Sequence, residues 1–376
     1  MCSLRVTKDL LTAAIVVLVL PHMDVLGGQN AATGPAVTRT RAEVEALIQQ
    51  VGATQPDWWD SVQLTYPPTL DLSWPLRDTG RWDASRNVGQ YLWDVINPNP
   101  DRWREGIKLV NFLMIRHKDD RAKLARATET LGRMFHDLIG DYARAVFWWR
   151  ISAKYGGYVE PIELAHCYWK LGCREMAVET LSQAPSDYTR NGALVKLWAD
   201  MGDFDKAIEL AEQKASAGMP TIGYLAAGDA CRLAGRYEDA LAYYRKAFAG
   251  KDMTGRDGDA KKGKERAQAS IDAIRLFDAL DVTRVPNGTY MAESIAYAGP
   301  LRVEVEVKGG KIQAVRVTKH QEKQFYSALT DTPKQIVAKQ GVKGVDAVTG
   351  ATMTSEAILN ATAKALAGGM QKAGGR

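Results

Sequence analysis

Gly140, Gly172, Gly202 and Gly235 follow one another at intervals of 32, 30 and 33 residues. An alanine stands five residues after each, at Ala145, Ala177, Ala207 and Ala240. Two residues after each glycine the chain carries Tyr142, Arg174, Phe204 and Tyr237, aromatic in three of the four copies. Self-similarity at a fixed period constrains the fold more than any other feature here. Each unit is one supersecondary piece whose apolar face only the next unit can cover. The spacing predicts antiparallel helix pairs over 128–250. Glycine and alanine are read as the small residues that let paired helices approach, and the aromatic as the filler at the turn.

The pattern, clearest in Gly202-Asp-Phe-Asp-Lys-Ala207 and Gly235-Arg-Tyr-Glu-Asp-Ala240, resembles tetratricopeptide repeats, whose period is about 34 residues. The resemblance implies a stacked array with a concave groove for a peptide or partner protein. An array that only supports and spaces the C-terminal part is equally open, because no groove-lining residue can be picked from one sequence. Residues 251–265, rich in Gly, Lys and Asp, read as a linker. Residues 266–282 regain a helical period through Ile271, Ile274, Phe277 and Leu280 and read as a capping helix.

From residue 283 the period changes to alternation. Leu301, Val303, Val305 and Val307 fall on one face, with Arg302, Glu304 and Glu306 on the other. Lys308-Gly309-Gly310-Lys311 supplies a hairpin turn, and Ile312 to Thr318 returns antiparallel, with a slip near Ala314 and Val315 that marks a bulge or a strand buried on both faces. Tyr326–Leu329 and Pro333–Lys339 read as short helical pieces. The expected fold is therefore mainly α, a helical repeat array, followed over 283–376 by a small α+β domain with an antiparallel sheet.

The last helix is preceded by Val345-Asp-Ala-Val-Thr-Gly-Ala-Thr-Met-Thr-Ser-Glu356. Ile358, Leu359, Thr362, Ala365 and Leu366 recur at helical spacing, and Gly368-Gly369 suggests its stop. Thr354 or Ser355 is placed to cap the helix, and Glu356 to complement its dipole. Amides at the helix start then face Thr352, a ready place for a phosphate. Gly350 permits a tight turn and Ala351 adds almost no bulk. Taken alone, the stretch is a small-residue loop before a capped helix, with no ligand required.

Asp346-x-x-Thr349-Gly350-Ala351-Thr352-x-Thr354-Ser355 resembles the signature of the FMN-binding domain family, which occurs in the sodium-translocating NADH:quinone reductase and in the Rnf complex. Asn287-Gly-Thr-Tyr290 resembles the family's opening, and His320-Gln-Glu322 its His-x-Glu step. The resemblance covers about the last ninety residues. It implies that Thr352 carries FMN through a phosphoester made by a separate flavin transferase from FAD. Asp346, Thr349, Gly350, Ala351, Thr354, Ser355, His320 and Glu322 are the implied surroundings of the cofactor. The chain departs from the family between Tyr290 and Leu301, where Ala292 to Ala298 replaces a glycine-rich stretch. Asp346 is read as fixing the turn rather than presenting it to the transferase.

Attack of a threonine hydroxyl on phosphorus needs a base and a metal. No carboxylates at metal-ligand spacing flank Thr352, so the chain reads as a substrate of the transferase rather than a self-modifying enzyme. No Walker loop, Rossmann fingerprint or Ser-His-Asp order is present, and no nicotinamide site is visible. His117, His136 and His166 lie in helical segments and are read as forming no cluster. Cys167, Cys173 and Cys231 lack CxxC spacing and read as core residues.

With 46% hydrophobic and 25% charged residues the chain can build a globular core, and its net charge of +5 is too diffuse for a nucleic-acid face. Arg5 and Lys8 precede an apolar run from Leu10 to Leu20, shorter than the ~20 residues that cross a bilayer. Residues 1–28 therefore read as a signal peptide, with an uncleaved membrane anchor or a buried helix as the alternatives. Residues 29–127 form a Trp-rich, partly helical region whose tryptophans are read as packing rather than as a stacking surface. Together these readings give an exported electron-transfer flavoprotein, extracytoplasmic, carrying covalent FMN and serving a redox partner protein that resides in or near the membrane. Two other readings are a repeat-based interaction scaffold whose C-terminal domain binds FMN loosely or not at all, and one half of an oxidoreductase whose small substrate is reduced by another subunit.

Overall fold

The computed structural model describes residues 37–52, 54–74, 81–183, 192–253, 257–322, 327–348 and 351–374. The expected signal peptide, together with Thr349, Gly350 and Tyr326, lies outside them. The Trp-rich region holds α1 (Arg41–Gly52), the short α2 (Val88–Tyr91) and α3 (Trp103–Arg116). Four helix pairs follow: α4 (Arg121–Met134) with α5 (Tyr142–Lys154), α6 (Pro161–Lys170) with α7 (Arg174–Ser182), α8 (Gly192–Asp200) with α9 (Phe204–Ser216), and α10 (Pro220–Leu233) with α11 (Tyr237–Ala249). Their starts are written locally. Asp120 and Asp141 cap α4 and α5 through the amides of Lys123 and Arg144, and α6 and α10 open on proline.

The four repeat glycines occupy the turns inside these pairs, at φ 72, 95, 80 and 74°. That left-handed backbone is what selects glycine. Close helix approach is not the reason, since a Cβ at Gly202 or Gly235 would meet nothing within 4 Å. The alanines serve that purpose: Ala145, Ala177, Ala207 and Ala240 are all fully buried. The two small residues therefore do different jobs, contrary to the single role expected for both.

Residues 251–265, expected as a linker, are helical from Asp257 onward, and α12 (Asp257–Phe277) absorbs most of the expected capping helix as well. The sheet is a meander of β1 (Gly288–Ile295), β2 (Pro300–Lys308) and β3 (Lys311–Lys319), in the order β1-β2-β3. β1 begins within Asn287-Gly-Thr-Tyr290 and continues past it, and its alternation is too weak to read as a strand. Val307 pairs with Ile312 and Glu306 with Ala314, and Val303 pairs with Val317 and Arg302 with Lys319, so irregularities sit at Gln313 and at Thr318. Leu301, Val303, Val305 and Val307 form the buried face, while Arg316 bridges Glu304 and Glu306 on the other. α13 (Ala328–Lys339) is one helix with Pro333 inside it rather than two pieces. The final helix, α14 (Thr352–Gly374), packs on β1 and β2 and against α12.

Among the tryptophans, Trp74 and Trp103 are buried, whereas Trp82 and Trp93 are exposed, so packing accounts for only part of that region. Cys167, Cys173 and Cys231 are buried thiols. No helix among the described residues is long and apolar enough to cross a membrane. One apolar core runs from α1 through α10, and a second joins α10, α11 and α12 to the sheet, α13 and α14. The described residues accordingly belong to one compact unit, in which the helical array packs directly on the C-terminal domain.

Candidate functional site

The motif reaches the surface of this unit at the first residue of α14. The amide of Ser355 donates to the carbonyl of Ala351, which makes Ala351 the residue at the helix cap and Thr352 its first helical residue. Thr354 and Ser355, expected as caps, lie inside the helix. Ser355 Oγ accepts from the Val348 amide at 3.0 Å, closing the approach loop onto the helix. Thr354 Oγ1 donates to Glu322 Oε2 at 2.8 Å, and Glu322 Oε1 accepts from the Ala298 amide at 3.0 Å. Glu322 is therefore the peg that ties the β1–β2 turn to the motif. His320 is half-buried and does not line the cavity described next; burial lowers its pKa.

Thr352 is half-buried and opens onto a cavity of about 390 Å³, within the roughly 300–1,000 Å³ typical of small-molecule sites. Ala351, Thr352, Met353 and Thr354 form one wall, with Glu322 and the exposed ring of Tyr297 beside them. The opposite wall is built by the array. His136 in the turn that follows α4, Ile162 and His166 of α6, Val195 and Lys196 of α8, and Leu225 and Asp229 of α10 line it, so every pair contributes at or just after its first helix. The groove of the array thus faces the C-terminal domain of its own chain.

Two buried ion triads clamp the motif to the array. Lys196 Nζ reaches Asp346 Oδ1 at 2.8 Å and also pairs with Asp200. Arg266 of α12 reaches Glu356 Oε2 at 3.0 Å and Asp229 Oδ2 at 2.5 Å. Asp346 and Glu356 are the two ends of the motif. Asp346 is further held through its backbone by Gln335 of α13, while its carboxylate reaches across to α8. Glu356 does not sit as an exposed complement to the helix dipole; its carboxylate is buried against arginine. A third tie runs from Arg232 of α10 to Asn360 of α14 at 3.0 Å.

Each triad sets two carboxylates against one cation in a dry environment, where they cannot both ionise freely. Burial, followed by the charge of Asp346, pushes Asp200 up to about 6. Burial, followed by the charge of Asp229, pushes Glu356 up to about 7 from its ordinary 4.5. The folded state then holds a proton on Glu356 that the unfolded chain releases between those values. Its contribution to stability is full below the ordinary value and is lost as pH rises through about 7. Glu356→Gln removes this titration. The stability of wild type relative to Glu356→Gln is expected to rise as pH falls from 8 to 5, by at most about 1.4 kcal/mol per pH unit, in paired urea titrations.

His136 and His166, expected to form no cluster, share a hydrogen bond of 2.9 Å in the cavity wall. They lie 30 residues apart, one repeat period, so stacking of the repeats sets them side by side. That coincidence of spacing was the available signal. Lys196, Asp229 and Arg266 left no such trace, because a buried charge on a helix looks like a surface one until its partner is known. Four carboxylates line the cavity (Glu160, Glu163, Asp229 and Glu322), yet no group of acidic, His or Cys side chains among the described residues could hold a metal ion.

The residues present fit a phosphorylated aromatic ligand. Apolar side chains form much of the wall, and Thr352 stands at a helix N-terminus, where amides lack intrahelical acceptors. Two nine-tenths-buried lining side chains, Arg266 through Nε and His166 through Nε2, carry nitrogens with no hydrogen-bond partner. Residues 296–367 match the family model of the FMN-binding domain, which supports flavin binding by this part of the chain. No curated protein and no solved structure gives a significant match.

Proposed function

We propose that the chain is an exported electron-transfer flavoprotein whose FMN is joined by a phosphoester to Thr352 and lies in the cavity between the array and the C-terminal domain. The opening of Thr352 onto that cavity, at the start of α14, is the observation that carries the reading. In the joining step the Thr352 oxygen forms a bond to the FMN-side phosphorus of FAD. The pyrophosphate bond breaks, AMP leaves, and the hydroxyl proton passes to a base of a separate flavin transferase. Lys196, Arg266 and the helix start would counter the phosphate charge, and Val195, Leu225 and Tyr297 would contact the rings.

Bound there, FMN supplies one- and two-electron transfer to a redox partner protein. The tetratricopeptide-like array serves as the far wall of the cofactor site, and its outer surface is left for that partner. Residues 1–28 act as the export signal, which puts both the transferase and the partner outside the cytoplasmic membrane.

Filling the cavity from the array side tests the placement. Ala226 lines it from α10, far in sequence from the motif. In flavinylated protein, Ala226→Trp is expected to raise iodide quenching of flavin fluorescence severalfold while the attached mass is retained. Equal quenching in both proteins places the ring system elsewhere.

A further inference from the structure

A second cavity of about 310 Å³ is lined by Trp74, Trp93, Arg133, Asp137 and Glu163 among others, and Glu163 also lines the cavity at Thr352. Asp137 Oδ1 lies 2.5 Å from His136 Nδ1, and His136 Nε2 lies 2.9 Å from His166 Nδ1. Both nitrogens of His136 are therefore engaged. Nε2 of His166 is the single ring nitrogen of the row without a partner, and His166 lines the cavity at Thr352 while only 4% exposed. His136 and Asp137 sit in a π-helical turn, Phe135–Ile139, a local irregularity found often at functional sites. Tyr142 packs edge-on against both imidazoles, and Trp149 packs against His136.

We propose that His166 is the proton donor to the redox-active ring in the cavity, drawing on a proton that His136 stores against Asp137. The proposal rests on the flavin reading above. Asp137 as a carboxylate only accepts, so it fixes a proton on His136 Nδ1. A charged His136 also donates from Nε2 to His166 Nδ1, which obliges a neutral His166, whose side chain lines the cavity, to carry its own proton on Nε2. When two electrons arrive from the partner, the Nε2 proton of His166 passes to a ring nitrogen of the ligand. The Nε2 proton of His136 moves to His166 Nδ1, and the pair loses one positive charge. Oxidation returns the proton along the same path. Neither histidine is oxidised or reduced.

The charges facing the pair support this order. Burial opposes a charge on His136, but the hydrogen bond and charge of Asp137, with Glu163 of α6, outweigh it and the opposing Arg133 of α4, and its pKa is raised. Burial first, then the charges of His136, Lys170 and Lys196, hold His166 well below its ordinary value. The stored proton therefore belongs to His136, and the donor stays neutral.

Two measurements test this, the first independent of flavin. In ¹⁵N-labelled, flavin-free protein near pH 6, long-range ¹H–¹⁵N spectra should show His166 protonated on Nε2 and His136 on both nitrogens. A His166 proton on Nδ1 overturns the proposal. In flavinylated protein, His136→Gln keeps a donor to His166 Nδ1 but stores no proton. Its midpoint potential should follow pH along a different slope from wild type between pH 6 and 9, with the attached flavin mass unchanged. Parallel curves overturn the relay while leaving the flavin reading intact. Wild type that takes up no flavin overturns both, and the mass measurement tells the two failures apart.

Discussion

Replacing Lys196 with methionine is expected to lower the unfolding free energy by about 3–5 kcal/mol, the usual cost of stranding a buried charge. Lys196 is buried between Asp200 and Asp346, and those carboxylates raise its pKa despite the burial that works against it. Methionine keeps the length of the side chain but leaves two carboxylates facing each other without a cation. Asp346→Asn is expected to cost less, because Lys196 keeps Asp200 and the triad becomes neutral. Urea unfolding followed by tryptophan fluorescence measures both. The Lys196→Met deficit should shrink from pH 8 to pH 5. Buried carboxylates with raised values take up protons in the folded state, so stability recovers as pH falls. A deficit independent of pH, or one no larger than that of Asp346→Asn, removes the triad from the account.

The same contact explains why the fold was more legible than the site. Strand alternation from Leu301 to Val307 and the repeat of turn glycines are local patterns, and they survive into the structure because backbone geometry imposes them. The small-residue motif announces itself for the same reason. The other half of the cavity is long-range. Lys196 meets Asp346 across 150 positions, and Arg266 meets Glu356 across 90. No periodicity within α8 or α12 records those partners. Residues 257–265 show a different limit. Their polar composition reads as a linker, yet they belong to α12, a helix held by its later turns, through buried Ile271, Ile274 and Phe277 together with Arg266. Only the histidine pair was within reach, through the repeat period that places residue 166 beside residue 136.

Thr352→Ala carries the other large effect, an all-or-none one. The hydroxyl is the single atom through which the cofactor would be joined, and alanine at the first turn of α14 is a good helix former. Fold and cavity should therefore persist, with unfolding within about 0.5 kcal/mol of wild type. Thr354→Ala serves as the contrast. It breaks the hydrogen bond to buried Glu322 and should cost about 1–3 kcal/mol while leaving the attachment oxygen in place.

Intact-mass spectrometry of the full chain, co-expressed with an active flavin transferase, puts the question most directly. Wild type should gain the mass of one FMN moiety, mapped to the peptide containing Thr352, and Thr352→Ala should gain none. Unmodified wild type beside a flavinylated control substrate, or flavin still bonded to Thr352→Ala, would contradict the account.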